Sequence, residues 1–194
     1  MMIGHQFLMQ EFGVRPRIGW QVDPFGHSNA NPRLFADMGF DAWFFGRLDF
    51  QDKEKRELNK GKEFIWQPFV EHLGNRAQIY SHVIKNGYCY FDGFAYDDRE
   101  FSDEIDTPVV SNPELETFNA DFKADLMQAY ILEMLDLYQG NHLFVSQGCD
   151  FTFGNANMNF MSLDRLIKYF NDLNGTNATL MWSTPGIYLE AVKK

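Results

Sequence analysis

The chain turns from an apolar run into a tight polar corner within the stretch Ile18-Gly19-Trp20-Gln21-Val22-Asp23-Pro24-Phe25-Gly26-His27-Ser28. The run predicts a strand over residues 17–22, after which Pro24 restricts the backbone and Gly26 frees it. Enzymes with α/β folds often carry catalytic groups on the loops that follow their strands. Asp23 is therefore a candidate catalytic carboxylate, but the residues alone favour a turn residue, because an aspartate before a proline is common in turns.

Segments with strand and helix patterns alternate along the rest of the chain. Further strands are predicted over residues 42–45, 64–66, 78–80, 143–146 and 179–182. Helices are predicted over residues 2–12, 31–38, 120–139, 163–173 and 187–192, with a solvated charged helix face over 52–62 and a loop-rich stretch over 86–113. This alternation favours an α/β fold with a mainly parallel sheet. Asp23 and Asp150 both follow predicted strands, where catalytic groups of such sheets gather.

The bulk composition excludes some kinds of partner. The net charge of -10 leaves no basic surface that would neutralise the phosphates of a nucleic acid. No apolar run is long enough to span a bilayer, and the amino terminus turns polar too early for a signal peptide. Two glycosylation sequons, at Asn174 and Asn177, nevertheless hint at the secretory route.

The two cysteines, Cys89 and Cys149, are too few for a disulfide framework. Sixty residues separate them, and nothing in the sequence indicates that they meet. Two buried free thiols are the favoured interpretation, with a disulfide left open as the alternative.

Several short motifs along the chain carry a family resemblance. After the stretch around Asp23 come Leu34–Asp41 (LFADMGFD), Phe44–Asp49 (FFGRLD), Gln147–Phe151 (QGCDF), Asn155–Met158 (NANM) and Ser183–Pro185 (STP). In this order they resemble glycoside hydrolase family 38, the class II α-mannosidases, and most of all its lysosomal branch. The resemblance spans nearly all 194 residues. It identifies the chain as part of the family's N-terminal α/β catalytic domain, later in that domain and truncated at both ends.

The resemblance implies a retaining glycoside hydrolase with two carboxylates. Asp23 matches the nucleophile and Asp150 matches the acid/base catalyst, which protonates the leaving oxygen and then deprotonates water. Cys149 stands where some relatives have Ser or Asp. In a retaining pair the two carboxyl groups lie about 5–5.5 Å apart.

The resemblance also implies a zinc ion that touches the nucleophile and the sugar. Asp23 would be both nucleophile and zinc ligand, but the family's upstream His-x-Asp pair and downstream His are absent from this sequence. One carboxylate does not hold zinc tightly. His27 is a possible substitute ligand, although a hydrogen-bonded structural histidine is the favoured interpretation.

Three more residues match sugar-binding positions of the family. Phe25 faces the sugar or packs in the core, Arg47 pairs with the nucleophile or forms a structural salt bridge, and Asp92 matches a hydroxyl-binding acid in a variable loop. The implied substrate is a mannose-containing oligosaccharide of the N-glycan type, and the implied location is a lysosome or another secretory or vacuolar lumen. The alternative is a non-catalytic truncated chain with weak sugar binding at most.

Overall fold

The computed structural model describes residues 1–97 and 106–194, which divide into two compact units. The first unit comprises Met1–Gly87, Leu137–His142 and Pro185–Lys194, and the second comprises Tyr88–Asp136 and Leu143–Thr184. The loop predicted over 86–113 has no helix or strand in its described part, and its residues 98–105 lie outside the description.

The first unit contains a four-stranded sheet. Its strands are β1 (Ile18–Gln21), β2 (Ala42–Phe45), β3 (Glu63–Trp66) and β4 (Ile79–Val83), in the spatial order β1-β2-β4-β3. The pairs β1–β2 and β2–β4 are parallel, whereas β3 is antiparallel to β4. The predicted α/β class with a mainly parallel sheet is confirmed.

Seven α-helices occur in the described residues: α1 (Met2–Phe12), α2 (Ala30–Asp37), α3 (Phe50–Leu58), α4 (Val70–Leu73), α5 (Ala120–Leu135), α6 (Ala156–Asp172) and α7 (Pro185–Val192), with a 3-10 turn at Gly74–Ala77. Of these, α5 and α6 belong to the second unit. Helix α1 ends where Gly13 adopts a φ of 65°, a conformation that glycine takes without steric cost. Helix α3 begins at Asp49, whose carboxylate accepts hydrogen bonds from the amides of Gln51 and Asp52.

All four residues of β2 are buried, as expected for a central strand covered on both faces. On one face, its Trp43 and Phe45 pack in an aromatic and aliphatic core. The buried members of this core are Phe35, Phe40, Trp43, Phe45, Ile79 and Val83. Because these side chains come mainly from α2, β2 and β4, the core holds the strand ends in fixed positions.

A buried polar cluster surrounds Glu63. Its Oε1 accepts hydrogen bonds from the hydroxyls of Tyr80 and Tyr188, and His82 Nδ1 lies 2.9 Å away. Burial opposes the ionisation of Glu63, but the hydrogen bonds from His82, Tyr188 and Tyr80 outweigh it and lower its pKa. Burial also lowers the pKa of His82 by more than Glu63 raises it. We therefore assign a neutral imidazole that donates from Nδ1 to an ionised Glu63.

The second unit is built on helices α5 and α6. The buried residues of α5 recur every three or four positions, as in an amphipathic helix: Ala120, Lys123, Ala124, Met127, Tyr130, Ile131 and Met134. Several of them share a core with Leu163, Leu166 and Phe170 of α6. Helix α6 begins earlier than the predicted residue 163, because the residues that its first turns bury, Asn159 and Ser162, are polar and give no apolar periodicity in the sequence.

Two predicted strands are wrong. Residues 143–146 and 179–182 have no ladder partner among the described residues and do not form strands. Leu143 and Leu180 instead pack against the core of the second unit. The side-chain amide of Asn171 bonds both the amide and the carbonyl of Leu180, each at 2.8 Å, in place of a neighbouring strand.

Candidate active site

Asp23 and Arg47 meet because they follow neighbouring parallel strands. In the β1–β2 ladder Gln21 lies opposite Phe45, so each functional residue comes two positions after a paired strand end. The Arg47 Nε donates a hydrogen bond to Asp23 Oδ1. Both side chains are about half exposed, at 47% for Asp23 and 45% for Arg47. The pair therefore presents a carboxylate to solvent at the carboxyl edge of the sheet.

Gly46 lets the loops around this pair approach closely. A Cβ atom on Gly46 would lie 2.8 Å from the Val22 carbonyl oxygen and 2.8 Å from the Gly87 Cα. Those neighbours are backbone atoms and have little freedom to move aside. The glycine in the Phe-Phe-Gly-Arg motif thus brings three loops together behind Asp23.

Phe25 stands in solvent beside Arg47. Its side chain is 87% exposed, and the Arg47 Cζ lies 4.4 Å from its ring centroid. Core packing within the described residues is therefore not its role. An exposed ring next to a carboxylate and a guanidinium is an arrangement that can stack on a sugar.

His27 supports the Arg47 loop. Its Nε2 lies 2.7 Å from the Arg47 carbonyl oxygen, and because a carbonyl only accepts, the ring nitrogen donates. The ring also packs on the buried side chains of Trp43 and Phe45, with centroids 5.0 and 4.4 Å apart. These contacts fit the favoured interpretation of a structural histidine.

Asp150 lies in a turn and not at a strand end. The prediction that it follows a strand is wrong, because residues 143–146 form none, so a shared position after a strand does not support its pairing with Asp23. Its Oδ2 accepts a hydrogen bond from the Tyr88 hydroxyl at 3.1 Å. Thr152 holds the turn, since its hydroxyl bonds both the amide and the carbonyl of Cys149 at 2.9 Å.

The cysteines are joined, which corrects the favoured interpretation of two free thiols. Cys89 and Cys149 form a disulfide with an S–S distance of 2.01 Å. Both residues are partly exposed and belong to the second unit. The disulfide brings the Tyr88–Cys89 segment against Cys149 and Asp150, a proximity that the sixty intervening residues concealed.

The predicted site residues fall into two groups. Asp23, Phe25 and Arg47 come together in the first unit, and Asp150 and Asp92 belong to the second. Asp92 is exposed in a turn, and within the described part of the chain no hydrogen bond joins it to Asp150. The pairing of Asp23 with Asp150 and the roles of Phe25, Arg47 and Asp92 stay predictions.

The donor set for zinc is incomplete in the part of the chain that the structure describes. A carboxylate such as Asp23 is a suitable ligand, but no three His, Cys, Asp or Glu side chains of the described residues come together around a possible metal position. Residues 1–97 and 106–194 thus do not form a zinc site by themselves. Nor is any helix among them long and apolar enough to cross a membrane.

Sequence reasoning missed Tyr88, whose hydroxyl donates a hydrogen bond to the Asp150 carboxylate. A faint signal was present, since Tyr88 precedes Cys89 and Asp150 follows Cys149. Had the disulfide been assumed, Tyr88 would have been placed beside Asp150. A tyrosine hydroxyl can orient a carboxyl group and hold its hydrogen-bonding geometry.

Comparison with known proteins matches all of residues 1–194 to the family described as glycosyl hydrolases family 38 N-terminal domain. A lysosomal alpha-mannosidase of Dictyostelium discoideum is 40% identical over 99% of this chain, and a probable alpha-mannosidase of Arabidopsis thaliana is 39% identical over 97%. The human lysosomal alpha-mannosidase is 36% identical over 100% of the chain. The chain spans only 18%, 18% and 19% of the length of these relatives. The chain belongs to the N-terminal domain of the family 38 glycosyl hydrolases.

Proposed function

We propose that this chain carries the two catalytic carboxylates of a retaining α-mannosidase and is part of a longer, zinc-dependent enzyme. Family membership and the names of the relatives support the reaction. The observation that carries the proposal is the Asp23–Arg47 pair at the carboxyl edge of the sheet, with Phe25 exposed beside it. The fraction of the relatives' length that the chain covers supports the longer enzyme.

Asp23 is the nucleophile in this proposal. Arg47 orients its carboxylate, which attacks the anomeric carbon of an α-mannoside and forms a covalent mannosyl ester as the leaving group departs. The Phe25 ring stacks against the sugar. Asp92 is proposed as a further hydroxyl-binding group.

Asp150 is the acid/base catalyst. It donates a proton to the glycosidic oxygen in the first step, and its carboxylate then accepts a proton from the water that hydrolyses the ester. The Tyr88 hydroxyl holds the Asp150 carboxyl in the turn. A retaining reaction needs two carboxyl groups about 5–5.5 Å apart.

Asp23 is the one residue of this chain that we propose as a zinc ligand. Because the described residues do not supply three ligands, we propose that the remaining ligands come from other parts of the longer enzyme.

The substrates proposed are mannose-containing oligosaccharides of glycoproteins, and the proposed location is a lysosome or related lumen. The relatives named lysosomal support this location. The Cys89–Cys149 disulfide adds support, since disulfides persist in oxidising compartments of the secretory route. A nucleic-acid partner is not expected at a net charge of -10.

A non-catalytic chain with weak sugar binding is the alternative, and the incomplete zinc set favours it. Variants of the protein that carries this chain separate the two. Asp23→Ala is expected to abolish turnover. Asp150→Ala is expected to retain slow turnover of aryl mannosides with good leaving groups. Added azide is expected to accelerate this variant, because azide attacks the mannosyl ester in place of water. Asp41→Ala is the matched control, since Asp41 pairs with Arg17 before the same two strands.

If the wild-type protein turns over no mannoside, the alternative of a non-catalytic chain is correct. If Asp150→Ala loses activity equally on activated and unactivated substrates, Asp150 is not the acid/base catalyst. Asp92 and the rest of the loop over residues 86–106 would then be searched for the acid.

A further inference from the structure

We propose that the Cys89–Cys149 disulfide is a redox-sensitive clamp that positions the Asp150 carboxyl group by holding Tyr88 against it. The proposal deepens the proposed function and rests on it for the acid/base role of Asp150. The cysteines act as positioning residues, because neither touches the substrate in the proposed reaction.

The first observation is the adjacency of two contacts. Cys89 directly follows Tyr88, and Cys149 directly precedes Asp150. The disulfide therefore lies one residue away from both partners of the Tyr88–Asp150 hydrogen bond. A covalent bond at that position holds together the two backbone segments that carry Tyr88 and Asp150.

The second observation is that secondary structure does not hold Asp150. Residues 143–149 are in neither helix nor strand, and Asp150 lies in a turn. Phe151 and Phe153 adopt φ values of 57° and 63°, a region that L side chains rarely occupy and that persists only when the surroundings impose it. Within this segment the restraints include the Thr152 hydrogen bonds, the contact of the Phe153 ring with Phe160 and the disulfide.

The third observation concerns exposure. Asp150 is exposed, so water competes for its carboxylate, and a hydrogen bond of 3.1 Å to Tyr88 contributes little without a tether. Cys89 and Cys149 are partly exposed, so a small dithiol can reach them. Reduction breaks the Sγ–Sγ bond, transfers two electrons and two protons to form two cysteine thiols, and oxidises the dithiol to its own disulfide.

The test compares the wild type with a Cys89→Ser, Cys149→Ser double variant and a Tyr88→Phe variant, alone and combined. The enzyme is the protein that carries this chain, assayed on a dinitrophenyl mannoside and on an alkyl mannoside. Loss of the clamp is expected to lower kcat/KM on the alkyl substrate by about tenfold or more, because kcat/KM reports formation of the mannosyl ester and only that substrate needs the general acid in this step. The kcat/KM of the dinitrophenyl substrate is expected to stay within about twofold.

Combining the variants is decisive. If the clamp acts through Tyr88, Tyr88→Phe gives the same selective loss, and the triple variant loses no more than either parent. Tyr169→Phe is the matched control, because Tyr169 donates to Asp121 at 2.6 Å in the same unit without a neighbouring disulfide. Its effect is expected to be small and additive with loss of the clamp.

Hydrogen exchange of the 194-residue chain gives a readout that does not depend on activity. Reduction with dithiothreitol is expected to accelerate exchange at residues 148–153 and to leave the α6 amides unchanged. Equal exchange in both redox states, equal losses on both substrates or two free thiols in the protein isolated without reductant would each overturn the clamp. If no form turns over a mannoside, the proposed function fails, and exchange alone decides the clamp.

Discussion

Carboxylate–arginine pairs occur at both ends of the first two parallel strands. Asp41 and Arg17 pair before β2 and β1, and Asp23 and Arg47 pair after them. The two pairs have the same chemistry, but the carboxyl edge of a parallel sheet is where catalytic groups collect. Position in the fold, and not residue type, therefore distinguishes the candidate nucleophile from a structural ion pair.

Arg47→Lys is expected to lower kcat/KM for mannosides by roughly tenfold or more, because an ammonium lacks the planar geometry that orients a carboxylate. Arg17→Lys, the corresponding change in the other pair, is expected to alter kcat/KM by less than about twofold. Steady-state kinetics on both variants measure the difference. Equal effects would show that the Asp23–Arg47 pair is merely structural.

The Glu63 cluster predicts a pH dependence of stability. Because its folded pKa is lowered, the contribution of Glu63 is present above its unfolded pKa of about 4.3 and is lost as pH falls through the folded pKa. His82 also has a lowered pKa in the folded state, so below about pH 6.5 the unfolded chain binds a proton that the folded chain does not. The free energy of unfolding therefore also falls as the pH decreases below about 6.5. Urea unfolding of the chain between about pH 2 and 8 should show the His82 decline below about pH 6.5 and the Glu63 decline below about pH 4.3.

Glu63→Gln is expected to lower the free energy of unfolding at neutral pH by about 2–4 kcal/mol, since three donors lose a charged acceptor. Tyr80→Phe removes one donor and is expected to cost about 1–2 kcal/mol. A Glu63→Gln variant as stable as the wild type, with an unchanged acid limb, would contradict the assigned ionisation.

At the scale of elements, Asp49 belongs to a family motif but has a local structural role. Its carboxylate accepts hydrogen bonds from the amides of Gln51 at 3.0 Å and Asp52 at 3.2 Å, which caps α3. Asp49→Ala is expected to lower the free energy of unfolding by about 1 kcal/mol. Asp37→Ala, in an exposed pair with Arg33, should change it by less than about 0.5 kcal/mol in the same denaturation assay.

Hydrophobic pattern and turn residues predicted most elements because they act locally. The apolar run at Ala42–Phe45 and the amphipathic periodicity after Ala120 lie where the structure has β2 and α5. The same reasoning failed at residues 143–146 and 179–182, since a strand needs a ladder partner that a local pattern cannot supply. The side chain of Asn171 makes the hydrogen bonds to Leu180 that a neighbouring strand would make, and no sequence pattern predicts this contact.

At the scale of the whole molecule, Arg47 was matched to Asp23 only through the family resemblance, and the structure has this pair because β1 and β2 are neighbouring parallel strands. It did not locate Tyr88, since that contact depends on a disulfide closing sixty residues. The buried Glu63 cluster was equally hidden, because Tyr188 is 125 positions away in the chain. Contacts within an element follow from the local sequence, whereas contacts between distant loops need the fold.

The incomplete ligand set predicts that the 194-residue chain retains little zinc and turns over mannosides slowly or not at all. Elemental analysis after dialysis should find less than about 0.1 equivalent of zinc. A full equivalent that is lost in a His27→Ala variant would instead make His27 a ligand, contrary to its contact with the Arg47 carbonyl.

The most direct test of the central claim, that Asp23 is the nucleophile of a retaining mannosidase, is to trap the covalent intermediate. A fluorinated α-mannosyl donor with a good leaving group slows hydrolysis of the ester and lets it accumulate in the protein that carries this chain. Peptide mass spectrometry is expected to find the sugar on Asp23, with no label in the Asp23→Ala variant. A label on Asp150, or equal labelling of wild type and Asp23→Ala, would contradict the assignment.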